Sequence, residues 1–524
     1  AFRSTGIVKY VRANLDIITG PLRRHLLSKN INKLELMKTL IKPFVYIISA
    51  LMVLSFASCN DFLDKEPEGK VPEEKVDYTN LSNMYQPVSG VYAKIRTSGL
   101  HWVIWEITTI RDQDVFSGQW NGSDYYNLSE YKYNDSFWGI NELWMQYYNI
   151  IKTANAAIES LDLYAENITN DDDMKTYKQY RGEVMFMRAY AYYRLVQAFG
   201  AVTILRDNNQ TDLSRSTVNA VYKYALEDLQ YGMDNMPRIR PNQSEHKGAV
   251  TAFSAAMLAA KIHLNQANYT KVEELTDDII KNGKFTLYPD FYQLFKIPGK
   301  LCDESIFECQ MTDFGNGSGD LIDPGEWFTC QGPNNSGSNI NGWGDCGILK
   351  SFRDWAYERG ETVRATTSFL LAGSTTPDGD VIKPQINSAK TDCWNGKAYT
   401  PTNQLTPGRT KYGTNNNVRI FRYADVLLMN AEAKIKNGKS GDNPFNEVRR
   451  RAKMPELKNV TFEQVIDERR MELVCEWGER YNDLVRTGLA KTELVGWSED
   501  KALLPLPFNQ YTQTPDLLKE PKDE

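Results

Sequence analysis

The chain has 524 residues, enough for a large core, with 61 Lys+Arg against 67 Asp+Glu and 41% hydrophobic content. A net charge of −6 excludes nucleic-acid binding through overall basicity, and four His in the whole chain argue against a His-rich metal enzyme. Aromatic residues are abundant, at 12%.

Residues 1–36 precede the first Met, Met37, and read as an upstream extension outside the mature protein. Residues 37–58 read as a lipoprotein signal peptide. Lys38 and Lys42 are basic, Phe44 to Leu54 is an apolar run too short to span a bilayer, and Ser55-Phe56-Ala57-Ser58 leads to Cys59. Small residues before a Cys form a lipobox, so Cys59 is the expected lipid attachment site. Phe56 stands where Leu is usual. Cleavage there would leave 52 basic and 65 acidic side chains, a net −13. Such a chain would hold to a membrane through its lipid rather than through its charge. Residues 59–75 are acidic and carry prolines, as a tether would.

A helical body is expected from residue 76. Residues 76–97, 139–166, 173–199 and 216–235 carry apolar residues at helical spacing, and Gly200 supplies a stop. Residues 248–282 read as helix, tight turn, helix with small residues at packing positions, like a tetratricopeptide unit without a regular period. Residues 285–418 are rich in Gly, Asn, Ser and Pro and read as a long irregular insertion. Helices return at about 421–437 and 461–487, and the tail from Leu503 is expected to be extended.

Five of the cysteines fall between Cys302 and Cys393. Export permits disulfides, with Cys302/Cys309 and Cys330/Cys346 as local candidates, although spacing alone does not fix connectivity. No CxxC pair exists to make a zinc site. The acidic loops would tolerate calcium but offer no motif for it, so no cofactor is expected.

Several stretches resemble the SusD/RagB family of outer-membrane nutrient-binding lipoproteins of Bacteroidetes. They are Cys59 to Pro67, Arg181-Gly182-Glu183 through Phe199-Gly200, the hairpin at 248–282 with Asn282 to Leu287, Arg422 to Ala433, Ile466 to Leu473 with Gly478 to Gly488, and Leu504-Pro505-Leu506-Pro507. The resemblance implies a mainly α-helical fold, with tetratricopeptide-like helical pairs packed against an irregular, loop-rich ligand-binding half. The N-terminal helical region would be 76–284 and the C-terminal region 285–524, with its insertion at 285–418. It also implies a non-catalytic surface protein. Such a protein captures glycans and delivers them to a SusC-like TonB-dependent transporter, without touching nucleic acid.

The charge-rich stretch Asp467 to Arg486 could be imagined as paired hydrolytic carboxylates. Stacking of Glu468, Glu472, Glu476 and Arg480 at helical spacing, with Arg469 and Arg470 nearby, favours a structural helix with a salt-bridged face. Arg422, Asp425 and Glu432 read the same way. No GxSxG, HExxH or GxxxxGK motif occurs.

Flat aromatic rings pack on the C–H faces of sugars, while amides and carboxylates bind their hydroxyls. The ligand-site candidates are therefore Trp120 and Asn121, with Asp124 and Tyr125 beside them, then Trp327, and then Asn341, Trp343 and Asp345. Trp102 and Trp105 are candidates for either site or core. Two other readings use the same scaffold. One is a peptide-binding importer subunit like the RagB branch. The other is a surface glycosidase drawing on Asp320, Asp323, Glu326 or Asp345.

Overall fold

The computed structural model describes residues 76–117, 122–311, 325–334, 341–383, 389–405 and 416–523. The expected upstream extension, signal peptide, Cys59 and the whole tether lie outside the described residues, as do Trp120, Asn121, Asp320 and Asp323. Residues Tyr78–Glu524 form one compact unit.

Its first half is helical: α1 (Tyr85–Lys94), α2 (Trp102–Thr109), α3 (Asp124–Ser129), α4 (Trp138–Ala165), α5 (Asp171–Phe199), α6 (Val218–Asn235), α7 (Ala252–Asn265) and α8 (Tyr269–Asn282). Side-chain caps begin many of these helices. Asn170 accepts from the Asp173 amide, Thr217 from that of Ala220 and Asn268 from that of Lys271. Gly200 ends α5. Neighbouring helices pack in sequence, α4 on α5, α5 on α6, α6 on α7 and α7 on α8, and α8 then packs on a helix of the C-terminal half. This is the expected stack of helical pairs. The small residues Ala255, Ala256, Ala259 and Ala260 are all buried in α7, where they allow close approach.

The C-terminal half contains α9 (Lys350–Glu358), α10 (Val363–Ser368), α11 (Tyr423–Lys436), α12 (Asp442–Arg451), α13 (Phe462–Glu472), α14 (Glu479–Thr487) and α15 (Phe508–Gln513). Residues 285–418 are more ordered than their composition implied. Strands β1 (Val115–Ser117), β3 (Cys346–Leu349), β5 (Thr391–Asn395) and β4 (Phe369–Leu371) form an antiparallel sheet in the order β1-β3-β5-β4. A second ladder pairs β2 (Ser305–Cys309) with β6 (Val418–Arg422). The strand residues are almost all buried, so pairing and burial together offset the low propensity of the surrounding loops. The tail is likewise not simply extended, since α15 folds against α4.

The expected helix over 461–487 is two helices. Cys475, Trp477 and Gly478 all take left-handed backbone angles between α13 and α14. A Cβ on Gly478 would lie 2.4 Å from the Thr108 carbonyl oxygen, so the break depends on a glycine beside α2. Glu468, Arg469, Glu472, Glu479, Arg480 and Asp483 of this stretch are buried, Arg470, Glu476 and Arg486 are half-buried and Asp467 is exposed, and most of their partners come from other elements. Arg469 pairs with Asp425 and Asp483, and Arg470 pairs with Asp114. Arg422 binds Glu304, Glu472 and Glu476, and Glu432 binds Arg486. The structural, salt-bridged role read for these residues agrees with these pairings, which run mostly between elements rather than along one helix face.

The six cysteines from Cys302 to Cys475 are free thiols, not the disulfides that two of the spacings permitted. Burial pushes Cys302 and Cys309 each up to about 12, and they pack as small apolar groups.

Glu183 of α5 is fully buried and ties α1 to the body. It accepts from the Tyr92 hydroxyl at 2.9 Å, and that oxygen in turn accepts from the Val250 amide at 2.9 Å. Burial raises the Glu183 carboxyl from 4.5 to about 7, against the hydrogen bonds from Gln179, Tyr92 and Tyr85. The unfolded chain loses this proton near pH 4.5 and the folded chain keeps it, so Glu183 costs stability as pH rises from 4.5 to about 7. Glu183→Gln is therefore expected to stabilise the fold by about 1–3 kcal/mol at pH 8 and by little at pH 4.5. Urea denaturation of both proteins at the two pH values measures this. Equal gains at both pH values would contradict it.

Candidate functional site

An aromatic surface forms where α2, α3 and α4 begin. Trp102 opens α2 and Trp138 opens α4, and a loop before β3 brings Trp343 to them. The Trp102 and Trp343 rings meet edge to face, with centroids 5.0 Å apart at 86°. Trp102 and Trp138 lie 5.8 Å apart at 62°. Tyr125 and Phe137 are buried behind them, with Tyr125 6.0 Å from Trp102 and Phe137 6.0 Å from Trp138. His101 stacks on Trp102 at 5.9 Å. Trp138 is 47% exposed, unusual for so large an apolar ring, and Trp102 and Trp343 are half-buried. Buried rings thus support exposed ones, which fixes the orientation of the outer faces.

The Trp343 loop is positioned by its backbone. The Trp343 amide donates to Thr329 O at 2.7 Å, and the Gly344 amide donates to Gly332 O at 2.9 Å. A Cβ on Gly342 would sit 2.5 Å from the Gly332 backbone, so the two segments can approach this closely only with glycine there.

Polar groups surround the rings. Asn341 is exposed and Asp345 is half-buried. Glu142, one helical turn beyond Trp138, places a carboxylate oxygen 3.7 Å from His101 Nε2. Glu106 of α2 is buried, and burial, then the Asp345 charge, push its carboxyl well above the usual range.

The structure thus brings Trp343 to Trp102, in a loop that also carries Asn341 and Asp345. It does not bring Trp327 there. That ring is buried, 4% exposed, and packs against Trp477 with centroids 4.6 Å apart and the rings tilted by 31°. Trp105 is also core, with its indole N–H donating to Cys475 O at 3.0 Å. Trp138 and Phe137 escaped the sequence reading because the periodic pattern of α4 starts at Gly139, which left them as unassigned neighbours. Their adjacency at a helix start was the available signal.

No cluster of three or more His, Cys, Asp or Glu able to hold a metal ion occurs among the described residues. No helix among them is long and apolar enough to cross a membrane.

Comparison with known proteins places this architecture. Residues 61–264 match a family described as "Starch-binding associating with outer membrane", and residues 348–503 match the SusD family. This chain belongs to the SusD-like family. A SusD-like protein of Bacteroides ovatus is 24% identical over 483 residues, covering 83% of this chain and 81% of that protein. The starch-binding protein SusD of Bacteroides thetaiotaomicron is 36% identical over 81 residues, 15% of this chain and 14% of SusD. Surface glycan-binding protein A of Bacteroides thetaiotaomicron, solved in complex with laminarihexaose, superposes with a TM-score of 0.69 at 23% identity, covering 83% of this chain and 98% of that one. The SusD-like fold, with its tetratricopeptide-like helical pairs, is therefore common to these proteins.

Proposed function

We propose that this SusD-like chain is a cell-surface glycan-binding lipoprotein of the outer membrane. It is anchored through Cys59, captures an oligo- or polysaccharide on the Trp102–Trp138–Trp343 surface, and passes it to a SusC-like TonB-dependent transporter. The observation that carries this reading is the exposed Trp138 ring beside two half-buried tryptophans, backed by buried aromatics and flanked by Asn341, Asp345 and Glu142. That arrangement offers ring faces to sugar C–H groups and polar side chains to hydroxyls.

Binding without cleavage is the expected chemistry. Glycoside hydrolysis needs two carboxyl groups that reach the scissile bond. Glu106, which feels the Asp345 charge, is sealed in the core and cannot do so.

The test is titration calorimetry of the chain against laminarihexaose, a xylogluco-oligosaccharide, maltohexaose and a peptide digest, with new reducing ends assayed in the same mixtures. Binding to a glycan without new reducing ends supports the proposal. Binding to peptides alone, or release of reducing ends, would replace it with a peptide importer subunit or a glycosidase.

A further inference from the structure

A second recess lies apart from the aromatic surface and shares no residue with it. It is a cavity of about 320 Å³ between α1, the loop entering α7, and β2. That volume falls within the range of roughly 300–1,000 Å³ typical of small-molecule sites. Tyr85 and His246 stack face to face on its wall, with centroids 3.5 Å apart at 8°, and buried Phe307 contributes an apolar patch. Tyr92 and Gln310 add polar edges.

Arg96 also lines this cavity. Among the described residues its guanidinium has neither a hydrogen-bond partner nor an ion pair. Such a group is unusual in a chain of net charge −6, where Arg188, Arg364, Arg422, Arg469 and Arg486 are all paired. Two of the nearby carboxylates are already engaged, while a third, Glu245, whose charge acts on Tyr85, faces solvent. Glu183 accepts from Tyr92, and Glu308 Oε2 accepts from the Leu301 amide at 3.0 Å and from Asn417 Nδ2 at 2.8 Å. Exposed Lys247 adds a second cation at the rim, its Nζ donating to Asn242 O.

We infer that this recess is a second ligand site, which takes a carboxylate-bearing sugar ring such as a hexuronate. Arg96 and Lys247 receive the carboxylate, and the Tyr85–His246 wall and Phe307 receive the C–H face of the ring. Guanidinium binds carboxylate through paired donors, and a partly desolvated site strengthens that contact. The inference goes beyond the glycan-capture reading and does not depend on the tryptophan surface.

Calorimetry of the full chain against trigalacturonate and its uncharged methyl ester tests it. The acid is expected to bind at least about tenfold tighter than the ester, and added salt should narrow the gap. Arg96→Gln should remove that preference, and Trp138→Ala should leave it intact. Arg96 is half-buried and has no partner among the described residues, so its replacement should not unfold the chain. Ser89→Phe, at an exposed α1 position lining the same recess, should block acid and ester alike. Equal binding of acid and ester, or an acid preference that survives Arg96→Gln, would overturn the site. A preference lost in Trp138→Ala instead would assign the acid sugar to the aromatic surface, also against this inference. Failure of the neutral glycans to bind would count against the proposed function while leaving the Arg96 result readable.

Discussion

Glu472→Ala is expected to destabilise the fold by about 3–5 kcal/mol, enough to threaten folding altogether. Glu472 is fully buried at the end of α13. Its carboxylate lies 3.0 Å from Arg422 and 3.3 Å from Arg364, and it also pairs with Arg451. Burial alone would raise this carboxyl, but Arg451, Arg422 and Arg364 together hold it down to about 2. The same three arginines also bind Glu304, Glu361 and Glu468, so α10, α12, α13 and β6 meet in one ionic knot. Removing one member leaves buried guanidinium charge without its counter-charge, which costs more than the pair itself contributes. The pH dependence follows the same logic. Because the folded carboxyl titrates below its ordinary value of 4.5, this contribution is fully present above pH 4.5 and is lost as pH falls toward about 2. Glu499→Ala makes the contrast, since Glu499 forms an exposed pair with Lys491 and should cost under about 0.5 kcal/mol. Urea denaturation at pH 7 compares the two variants. A loss under about 1 kcal/mol for Glu472→Ala would mean that the knot is not structural.

Helix existence was legible in the sequence wherever one face stayed apolar over many turns. The spans read for α5, α6, α7 and α8 lie close to those observed; in α6 and α8 burial follows the 3.6-residue period, whereas α7 and the second half of α5 are buried nearly all round. The break between α13 and α14 was hidden. Three consecutive turns of charge and aromatic residues fit a helix locally, and only the nearness of Thr108, remote in sequence, requires the left-handed Gly478. The sheet in the insertion was hidden for a related reason. Its strands have three to five residues, too short for alternation to register, and their partners come from distant segments. At the aromatic surface, side-chain chemistry alone could not separate Trp343 from Trp327. Both lie in polar, glycine-rich sequence. One is brought to Trp102 by a glycine-dependent backbone crossing, and the other is drawn under Trp477. That difference is tertiary and leaves no local trace.

Replacing both Trp138 and Trp343 with Ala is expected to abolish measurable glycan binding, a loss of about a hundredfold or more, with each single change costing about tenfold. Each ring offers one flat face to a sugar, and an aromatic face removed from water contributes on the order of 1–2 kcal/mol. Trp138 is 47% exposed, so its truncation leaves little cavity and the fold should be nearly as stable as before. Trp343 packs edge-on against Trp102, so its loss should cost somewhat more stability while the loop stays pinned through its own backbone bonds to Thr329 and Gly332. Trp327→Ala separates binding from folding. That ring is buried against Trp477, and its removal should cost about 3–5 kcal/mol of stability while any folded protein keeps its glycan affinity. Calorimetric titration with the glycan that binds the parent chain, paired with thermal unfolding of every variant, reads both quantities. If the double variant binds as well as the parent while remaining folded, the aromatic surface is not the glycan site. If Trp327→Ala loses affinity while remaining folded, the ligand reaches deeper than the exposed rings, and the site must be redrawn around Trp477.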